Sequence, residues 1–172
     1  MLIEDKVAII TGAAGELGSV VTKVFLENGA KVVALYHSED KLEELYKFLG
    51  DLQDNLVPFH GDATVEEEMK ALAEQAVEEF GRIDILVNLV GGWKGGSTLD
   101  KTSEETWDYM LELNLKTCFL STKSVLPYML DKEYGRIINI SSRSGVQKGN
   151  RSRSGAYAVA KGGVLTFTEA VA

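Results

Sequence analysis

The sequence predicts an α/β protein built on a doubly wound, parallel β-sheet. Short apolar runs rich in β-branched residues alternate with longer stretches in which apolar residues recur every three or four positions. Strands joined by crossover helices run parallel, with right-handed connections. Ligands bind such sheets at the carboxyl ends of the strands, so we expect the functional residues at that edge.

The strand-like runs are separated by stretches long enough for one helix each. The predicted strands cover residues 6–10, 31–35, 56–60, 83–88 and 136–141. Each of the first four is followed by a stretch of helical periodicity. The repeat is therefore βα, the unit from which a doubly wound sheet is assembled.

Two predicted helices show an apolar stripe that we expect to face the sheet. Thr64 and Glu67 have the spacing of a capping box at the start of the later helix, and Gly29 and Gly81 stand where the two helices must end. The stripes consist of Leu17, Val20, Val21, Val24 and Phe25 in the first helix, and of Met69, Leu72, Ala73, Ala76, Val77 and Phe80 in the later one.

Composition narrows the classes of function. The 172 residues are 45% hydrophobic and 26% charged, which fits one globular domain over residues 1–172. The net charge of −8, without a block of basic residues, argues against nucleic acid as a partner. No apolar run reaches bilayer length and the first residues are acidic, so we expect a cytoplasmic protein with no membrane partner.

Cys118 is predicted to be a core residue, and His37 and His60 lack neighbours at ligand spacing, so we predict no metal site.

A glycine-rich turn follows the first strand and opens the first helix. Gly12, Gly15 and Gly18 lie where backbone N–H groups at a helix N-terminus can bind a diphosphate. Glu16 lies in the same turn, where its carboxylate would compete with phosphates for the positive end of the helix. The predicted cofactor contacts in this turn are Thr11, Gly12, Gly15, Leu17 and Gly18.

With this turn the sequence resembles the short-chain dehydrogenase/reductase family. The shorter-chain branch prefers T-G-x-x-x-G-x-G, whose middle glycine is replaced here by Glu16, whereas the extended branch prefers T-G-x-x-G-x-x-G, which Thr11, Gly12, Gly15 and Gly18 satisfy. The rest of the chain resembles the shorter branch, in particular the 3-oxoacyl-acyl-carrier-protein reductases. The resemblance implies a Rossmann-like sheet of strand order 3-2-1-4-5.

The resemblance runs from residue 5 to the last residue, and the chain stops within the helix that follows Lys161. Family members continue with further strands and a segment that covers the substrate. We therefore expect an incomplete portion of a longer chain, lacking the family's last strands.

The resemblance also locates further cofactor contacts. The second strand ends at Tyr36 and His37, where an acid would favour NAD and an arginine NADP. Neither is present, and His37, Ser38 and Lys41 are the groups that tip the expectation slightly toward NADP. Asp62 resembles the family's adenine-contacting aspartate, although a strand-end turn explains it equally well. Asn88 and Gly91 match two positions of the family's N-N-A-G segment.

A tyrosine and a lysine one helical turn apart resemble the family's catalytic pair. Tyr157 and Lys161 share a helix face, on which the ammonium stabilises a phenolate, and both would also contact the cofactor. Tyr128 and Lys132 repeat the spacing, but they follow Pro127 near the end of a long helix. We therefore assign Tyr157 as the catalytic tyrosine.

Ser142 and Asn114 complete the family's catalytic set. Ser142 ends a run that resembles the catalytic strand, with Ser141 and Ser144 as alternatives. Asn114 is predicted to be buried, so its amide should make a structural hydrogen bond. The resemblance implies that it also holds a water leading to Lys161, and both roles can apply.

The resemblance implies an NAD(P)-dependent oxidoreductase that acts on a small ketone, a 3-oxoacyl substrate or a secondary alcohol. A non-catalytic dinucleotide-binding or interaction module is the alternative, and an extended-branch epimerase or dehydratase a third. The resemblance also implies a homodimer or homotetramer, paired through the helices of Asn114 and Tyr157 with Gly162 and Gly163 at the contact. A basic loop suggests an anionic substrate, although a solvated loop or a contact with an acidic neighbouring subunit would explain it more simply. Its basic residues are Arg143, Lys148, Arg151 and Arg153.

Overall fold

The computed structural model of the chain describes residues 2–146 and 153–172. Its strands are β1 Val7–Thr11, β2 Lys31–Tyr36, β3 Leu56–His60, β4 Ile85–Asn88 and β5 Arg136–Asn139. Its α-helices are α1 Glu16–Glu27, α2 Glu39–Leu49, α3 Glu66–Phe80, α4 Glu104–Leu111, α5 Thr117–Asp131, α6 Arg143–Val146 and α7 Gly155–Val171. A 3₁₀ turn at Leu99–Lys101 precedes α4, and a π-helical turn at Glu112–Lys116 joins α4 to α5.

The strands form one five-stranded sheet in the order β3-β2-β1-β4-β5. The pairs β1–β2, β1–β4 and β2–β3 are parallel, as the βα repeat requires. Thr11 pairs with both Leu35 and Asn88, and Tyr36 pairs with His60, so several strands end side by side. The predicted fold class and strand order are confirmed.

Two compact units make up the chain. The first unit comprises Met1–Leu89 and Leu120–Ile138, and the second Val90–Phe119 and Asn139–Ala172. The first unit holds the sheet, and β1 is buried along its whole length. The single domain expected from composition stays a prediction.

The apolar stripe predicted for α1 is right only at Val21 and Phe25, which are partly buried against the core. Leu17, Val20 and Val24 are 53%, 50% and 47% exposed. The face turned to the core instead carries Gly18, Thr22 and Leu26, one helical turn apart. Close approach of Gly18 to the preceding turn sets the rotation of the helix, and that contact outweighs the apolar pattern. For α3 the prediction was right, since Met69, Leu72, Ala73 and Ala76 are buried.

The capping box predicted at Thr64 is also wrong. Helix α3 is capped by Val65 without a side-chain hydrogen bond, and the Thr64 hydroxyl donates to Asp62 Oδ1 over 2.8 Å. The hydroxyl thus stabilises the turn before the helix. Thr side chains often bond to nearby groups in this way instead of capping a helix. Both predicted glycine stops are confirmed: Gly29 follows the C-cap of α1 and Gly81 caps α3, with φ values of 79° and 75°.

The second unit is mainly helical. Helix α7 packs against α4, the π-helical turn and α6. Gly163 of α7 lies against Leu115 of its own chain, where an added Cβ would come within 2.9 Å of Leu115 Cδ2. Internal packing therefore accounts for that glycine. Among the described residues no helix is long and apolar enough to cross a membrane.

Candidate functional site

The glycine turn of the first unit has the backbone of a phosphate-binding site. Gly12 has φ 67°, and Gly15 is the N-cap of α1 with no side chain bonded to the helix N–H groups. A Cβ at Gly18 would overlap the carbonyl oxygen of Gly12. The turn thus leaves backbone donors at a helix N-terminus, as a dinucleotide diphosphate requires. Leu17 and Glu16 are exposed on the first turn of α1.

Thr11 and Asn88 lie at adjacent strand ends and stabilise that edge of the sheet. Thr11 Oγ1 accepts a hydrogen bond from the Leu89 backbone N over 3.2 Å. The Asn88 carbonyl oxygen Oδ1 accepts from Ser121 Oγ over 2.6 Å, and its Nδ2 donates to Thr122 Oγ1 over 3.4 Å. Both side chains are buried and shape the edge on which a cofactor would lie.

The end of β2 carries aromatic rings where many dinucleotide sites carry an acid. The His37 and His60 rings are stacked with centroids 6.2 Å apart, and Tyr36 meets His60 edge-on at 5.3 Å. Tyr36 Oη donates to Glu39 Oε1 over 3.0 Å. Burial, followed by this hydrogen bond, raises the pKa of the Tyr36 phenol. His60 and Glu39 were not predicted at this site, because only the pairing of β2 with β3 and the first turn of α2 bring them here.

Lys41, one of the groups considered for NADP, already has a partner. Its ammonium donates to Glu44 Oε2 over 2.7 Å. That hydrogen bond, with the charges of Glu44 and Glu16 in the same direction, raises the pKa of Lys41. A 2′-phosphate would therefore have to compete with a carboxylate for this lysine.

Asp62 forms the turn at the end of β3. Its Oδ1 accepts hydrogen bonds from the backbone N and the hydroxyl of Thr64, each over 2.8 Å. Its own backbone N donates to Glu68 Oε2 over 2.6 Å. The turn explanation is therefore realised in the structure, and a contact between Asp62 and adenine stays a prediction.

Asn114 of the second unit lies in the π-helical turn and is fully buried. Its Oδ1 accepts from the Gly92 backbone N over 3.1 Å, and its Nδ2 donates to the Gly92 carbonyl over 2.9 Å and to the Met110 carbonyl over 3.1 Å. One side chain thereby fixes the segment that contains Gly91. π-Helical turns are frequent at functional sites, because the extra residue redirects side chains.

Lys161 is a buried cation of this unit, with 5% of its surface exposed. Its ammonium donates to the carbonyl of Ile140 over 2.9 Å. Burial lowers the pKa of Lys161, and the neighbouring Cys118 thiol opposes that shift. A Cβ on Gly91 would lie 2.9 Å from Asn114 Oδ1 and 3.1 Å from Lys161 Nζ. Asn114, Lys161 and the backbone of Gly91 therefore meet at one point.

Ser142 and Ser141 have different hydrogen-bond roles. Ser141 Oγ donates to the Lys161 carbonyl over 2.7 Å, so its hydrogen is used within the fold. Ser142 Oγ instead accepts from the Ser144 backbone N over 3.1 Å, which leaves its hydrogen able to donate elsewhere. Gly145 brings α6 against α7, because an added Cβ would lie 2.6 Å from the carbonyl carbon of Lys161. The segment that starts at Ser142 thus packs beside Lys161.

Tyr157 lies in the first turns of α7, half-buried, one turn before Lys161. It lines a cavity of about 230 Å³ in the second unit. Tyr128, which repeats the Tyr–Lys spacing, lies in α5 of the first unit and lines a different cavity with Glu66 and Lys70. The two tyrosines therefore have different surroundings.

Sequence reasoning did not find Lys94 and Lys101, which line the cavity beside Tyr157. Nothing in their local sequence marks them, since the cavity forms only when their segments meet the start of α7.

Of the predicted basic loop, Arg143 and Arg153 are described, whereas Lys148 and Arg151 lie outside the described residues. Over residues 2–146 and 153–172, no three His, Cys, Asp or Glu side chains are grouped to hold a metal ion.

Comparison with known proteins identifies the family. The model of the family described as short chain dehydrogenase matches residues 6–172. The 3-oxoacyl-(acyl-carrier-protein) reductase FabG of Thermotoga maritima is 37% identical over 169 residues, which cover 98% of this chain and 68% of that protein.

Solved structures share the fold. One from Burkholderia xenovorans, described as a short-chain dehydrogenase/reductase, has a TM-score of 0.91 and 32% identity over 99% of this chain and 69% of its own. NAD⁺-bound xylitol dehydrogenase has a TM-score of 0.92 and 26% identity, over 100% of this chain and 65% of its own. The chain belongs to the short-chain dehydrogenase family of oxidoreductases.

Proposed function

We propose that the protein is an NAD(P)-dependent reductase of a small ketone or 3-oxoacyl substrate, able to oxidise the matching secondary alcohol in reverse. The observation that carries the proposal is the arrangement on α7, where Tyr157 lines a cavity one turn before the buried Lys161. The FabG relative is named for reduction of a 3-oxoacyl group, which supports the substrate class.

The chain's own residues would handle the proton and the charge. A bound nicotinamide dinucleotide supplies the hydride that forms the new C–H bond. Tyr157 Oη donates its proton to the carbonyl oxygen, which yields the alcohol, and the phenolate regains a proton from solvent. Ser142 Oγ donates a hydrogen bond to the developing negative oxygen. Lys161 would hold the nicotinamide ribose and stabilise the phenolate. Asn114, which is hydrogen-bonded to Gly92, would also hold a water that leads to Lys161.

The glycine turn fits a dinucleotide, because Gly18 packs where a Cβ would overlap Gly12 and the N-terminus of α1 keeps its donors. We propose a slight preference for NADP, since no acid ends β2 and His37 is exposed there to meet a 2′-phosphate. Titration of the protein with NADPH and NADH tests this. Tighter binding of NADH would reverse the assignment.

The decisive experiment replaces Tyr157 with Phe and measures reduction of ethyl acetoacetate by NADPH. Loss of the proton donor should lower kcat/KM by about a hundredfold to ten-thousandfold and leave the cofactor dissociation constant within about twofold. Tyr128→Phe is the matched control and should leave turnover unchanged. Retention of more than a tenth of the activity by Tyr157→Phe would contradict the role of Tyr157. Cofactor binding by the wild type without turnover on a panel of ketones would favour the non-catalytic module.

We also propose that the protein forms a homodimer, or a tetramer built from two such pairs, through the surface on α4, the π-helical turn and α5. Leu111, Leu115 and Phe119 line an apolar groove there, and Phe119 is 45% exposed. Light scattering on the wild type and on Phe119→Glu tests the pairing, which a monomeric wild type would exclude. The cytoplasm stays the predicted location.

A further inference from the structure

The cavity beside Tyr157 has three walls, all in the second unit. They are the loop after β4, the residues that lead into α4, and the start of α7. The Gly96 backbone N donates to the Arg153 carbonyl over 3.0 Å, and this bond ties the first wall to the third. The lining residues are Lys94, Gly95, Ser97, Lys101, Thr102, Ser103, Thr106, Arg153, Ser154, Gly155, Ala156 and Tyr157.

The charge of this lining is opposite to that of the protein. Among the described residues of the lining, Lys94, Lys101 and Arg153 contribute three cations and none carries a carboxylate, although the chain has a net charge of −8. Twelve residues drawn at random from this composition would include about two acids and about one base. A cation-lined concavity in an acidic protein concentrates anions locally.

The cations are available to a ligand to different degrees. Lys94 Nζ lies 4.0 Å from Glu105 Oε1, a carboxylate on an 86% exposed side chain, so this lysine is shared. Lys101 and Arg153 make no ion pair with any carboxylate among the described residues, and both are exposed. A ligand anion could therefore form charge-assisted hydrogen bonds with two cations that no described carboxylate already holds.

Of the hydroxyl groups in the lining, Ser154 can serve as a donor to a ligand. Thr102 Oγ1 donates to the Thr98 carbonyl over 3.0 Å and Ser103 Oγ donates to Thr106 Oγ1 over 3.0 Å, so both hydrogens are used internally. Ser154 forms no capping hydrogen bond at the start of α7. Its hydroxyl can donate into the cavity, and the partial positive charge of the first turn of α7 adds to that of the side chains.

The cavity size limits what can bind. About 230 Å³ is below the range of roughly 300–1,000 Å³ that is usual for pockets that enclose a drug-sized ligand. The space suits an oxyanion group and a few carbon atoms. Because Tyr157 forms part of the wall, a carbonyl joined to that anion by a short carbon chain would lie beside Tyr157.

We propose that this cavity is an oxyanion-binding subsite, in which Lys101, Arg153 and Lys94 hold the carboxylate or phosphate of a short keto substrate whose carbonyl faces Tyr157. The inference rests on the proposed function for the role of Tyr157. It assigns the substrate class of that site as an anionic ketone. Binding of the anion itself does not depend on turnover, so the two can be tested apart.

The kinetic test compares acetoacetate with its ethyl ester, which share the reacting ketone and differ in charge. The wild type should prefer acetoacetate. The double variant Lys101→Gln/Arg153→Gln should lose about tenfold to a hundredfold in kcat/KM on acetoacetate and much less on the ester. The selective loss should shrink as salt is raised. The control Lys47→Gln/Lys132→Gln removes two exposed lysines of the first unit and changes the net charge equally, so it should affect neither substrate.

A binding test separates the subsite from the reaction. Inorganic phosphate and acetate are titrated into the wild type and both double variants by calorimetry. The proposal expects binding of at least one anion that the Lys101/Arg153 variant loses and the control keeps, and the tighter anion identifies the substrate group as phosphate or carboxylate. If that pattern holds but no ketone is turned over, the subsite stands and the proposed function fails. Equal losses of kcat/KM on acetoacetate and on the ester would overturn the subsite, and so would equal anion binding by both variants. Turnover of the ester would still uphold the proposed function in that case.

Discussion

Replacement of Gly145 by Ala tests the contact that places Ser142 beside the catalytic helix. The added Cβ would lie 2.6 Å from the carbonyl carbon of Lys161, 2.7 Å from its oxygen and 2.8 Å from the backbone N of Gly162. These are backbone atoms of α7, which cannot rotate away. Two carbon atoms need about 3.5 Å, so α6 must move away from α7 by about 0.9 Å.

The cost of such overpacking is about 1 to 3 kcal/mol. For a chain of this size each kcal/mol lowers Tm by about 2 to 4 °C, so we expect a fall of about 2 to 12 °C in thermal unfolding. Because Ser142 immediately precedes α6, the displacement should also lower kcat on ethyl acetoacetate, by up to about a hundredfold.

Gly162→Ala is the matched control on the opposite side of the same contact. Its Cβ would meet only the Gly145 carbonyl oxygen, at 3.6 Å, which is an ordinary contact. Alanine inside a helix is favoured over glycine by about 0.5 to 1 kcal/mol, so this variant should be slightly more stable than the wild type. An unchanged Tm and kcat for Gly145→Ala, or an equal loss in both variants, would refute the reasoning.

Further predictions concern single side chains. Thr22 Oγ1 is buried without a hydrogen-bond partner among the described residues, so Thr22→Val should raise the free energy of unfolding by about 1 kcal/mol, measured by urea denaturation; a loss of stability would show that the hydroxyl is satisfied. Lys161→Met should abolish reduction yet stabilise the fold by about 1 to 2 kcal/mol at neutral pH, because the charged amine is buried. Burial lowers the pKa of Lys161 in the folded state, so the wild type gains stability as pH rises from the folded pKa toward the unfolded pKa. The stability advantage of Lys161→Met should therefore shrink over that pH range. A difference in stability that stays constant with pH would contradict this. Glu16→Gly should tighten NADPH binding about two- to fivefold in calorimetry, and an unchanged dissociation constant at low salt would show that the carboxylate points away from the diphosphate.

The fold could be predicted because its signals are local and repeated. Each strand of the first unit is an apolar run next to a helical period, and parallel pairing follows from that alternation. The helix ends at Gly29 and Gly81 were predicted because glycine is the residue that adopts a positive φ readily, and this depends on the residue type alone. Strand order came from family resemblance, and the structure confirmed it.

Predictions failed where a close backbone approach or a competing side-chain hydrogen bond outweighed the pattern of apolar or capping residues. The apolar stripe of α1 pointed to Leu17, Val20 and Val24, but the fit of Gly18 against Gly12 turned a different face to the core. Thr64 has the spacing of a helix cap, yet its hydroxyl donates to Asp62. The Asp62 carboxylate and the N-terminus of α3 compete for that hydroxyl, and the spacing in the sequence does not show which of them wins.

By itself the sequence determined the class of the sheet, the glycine turn at its edge, and the candidate residues Asn114, Ser142, Tyr157 and Lys161. Only the tertiary structure decided what those residues touch. Asn114 is hydrogen-bonded to Gly92, and Ser141 Oγ donates to the Lys161 carbonyl. Lys94, Lys101 and Arg153 line one cavity. Periodicity and spacing report on neighbours along the chain, whereas hydrogen-bond partners and cavity walls come from segments that meet only after the chain has folded.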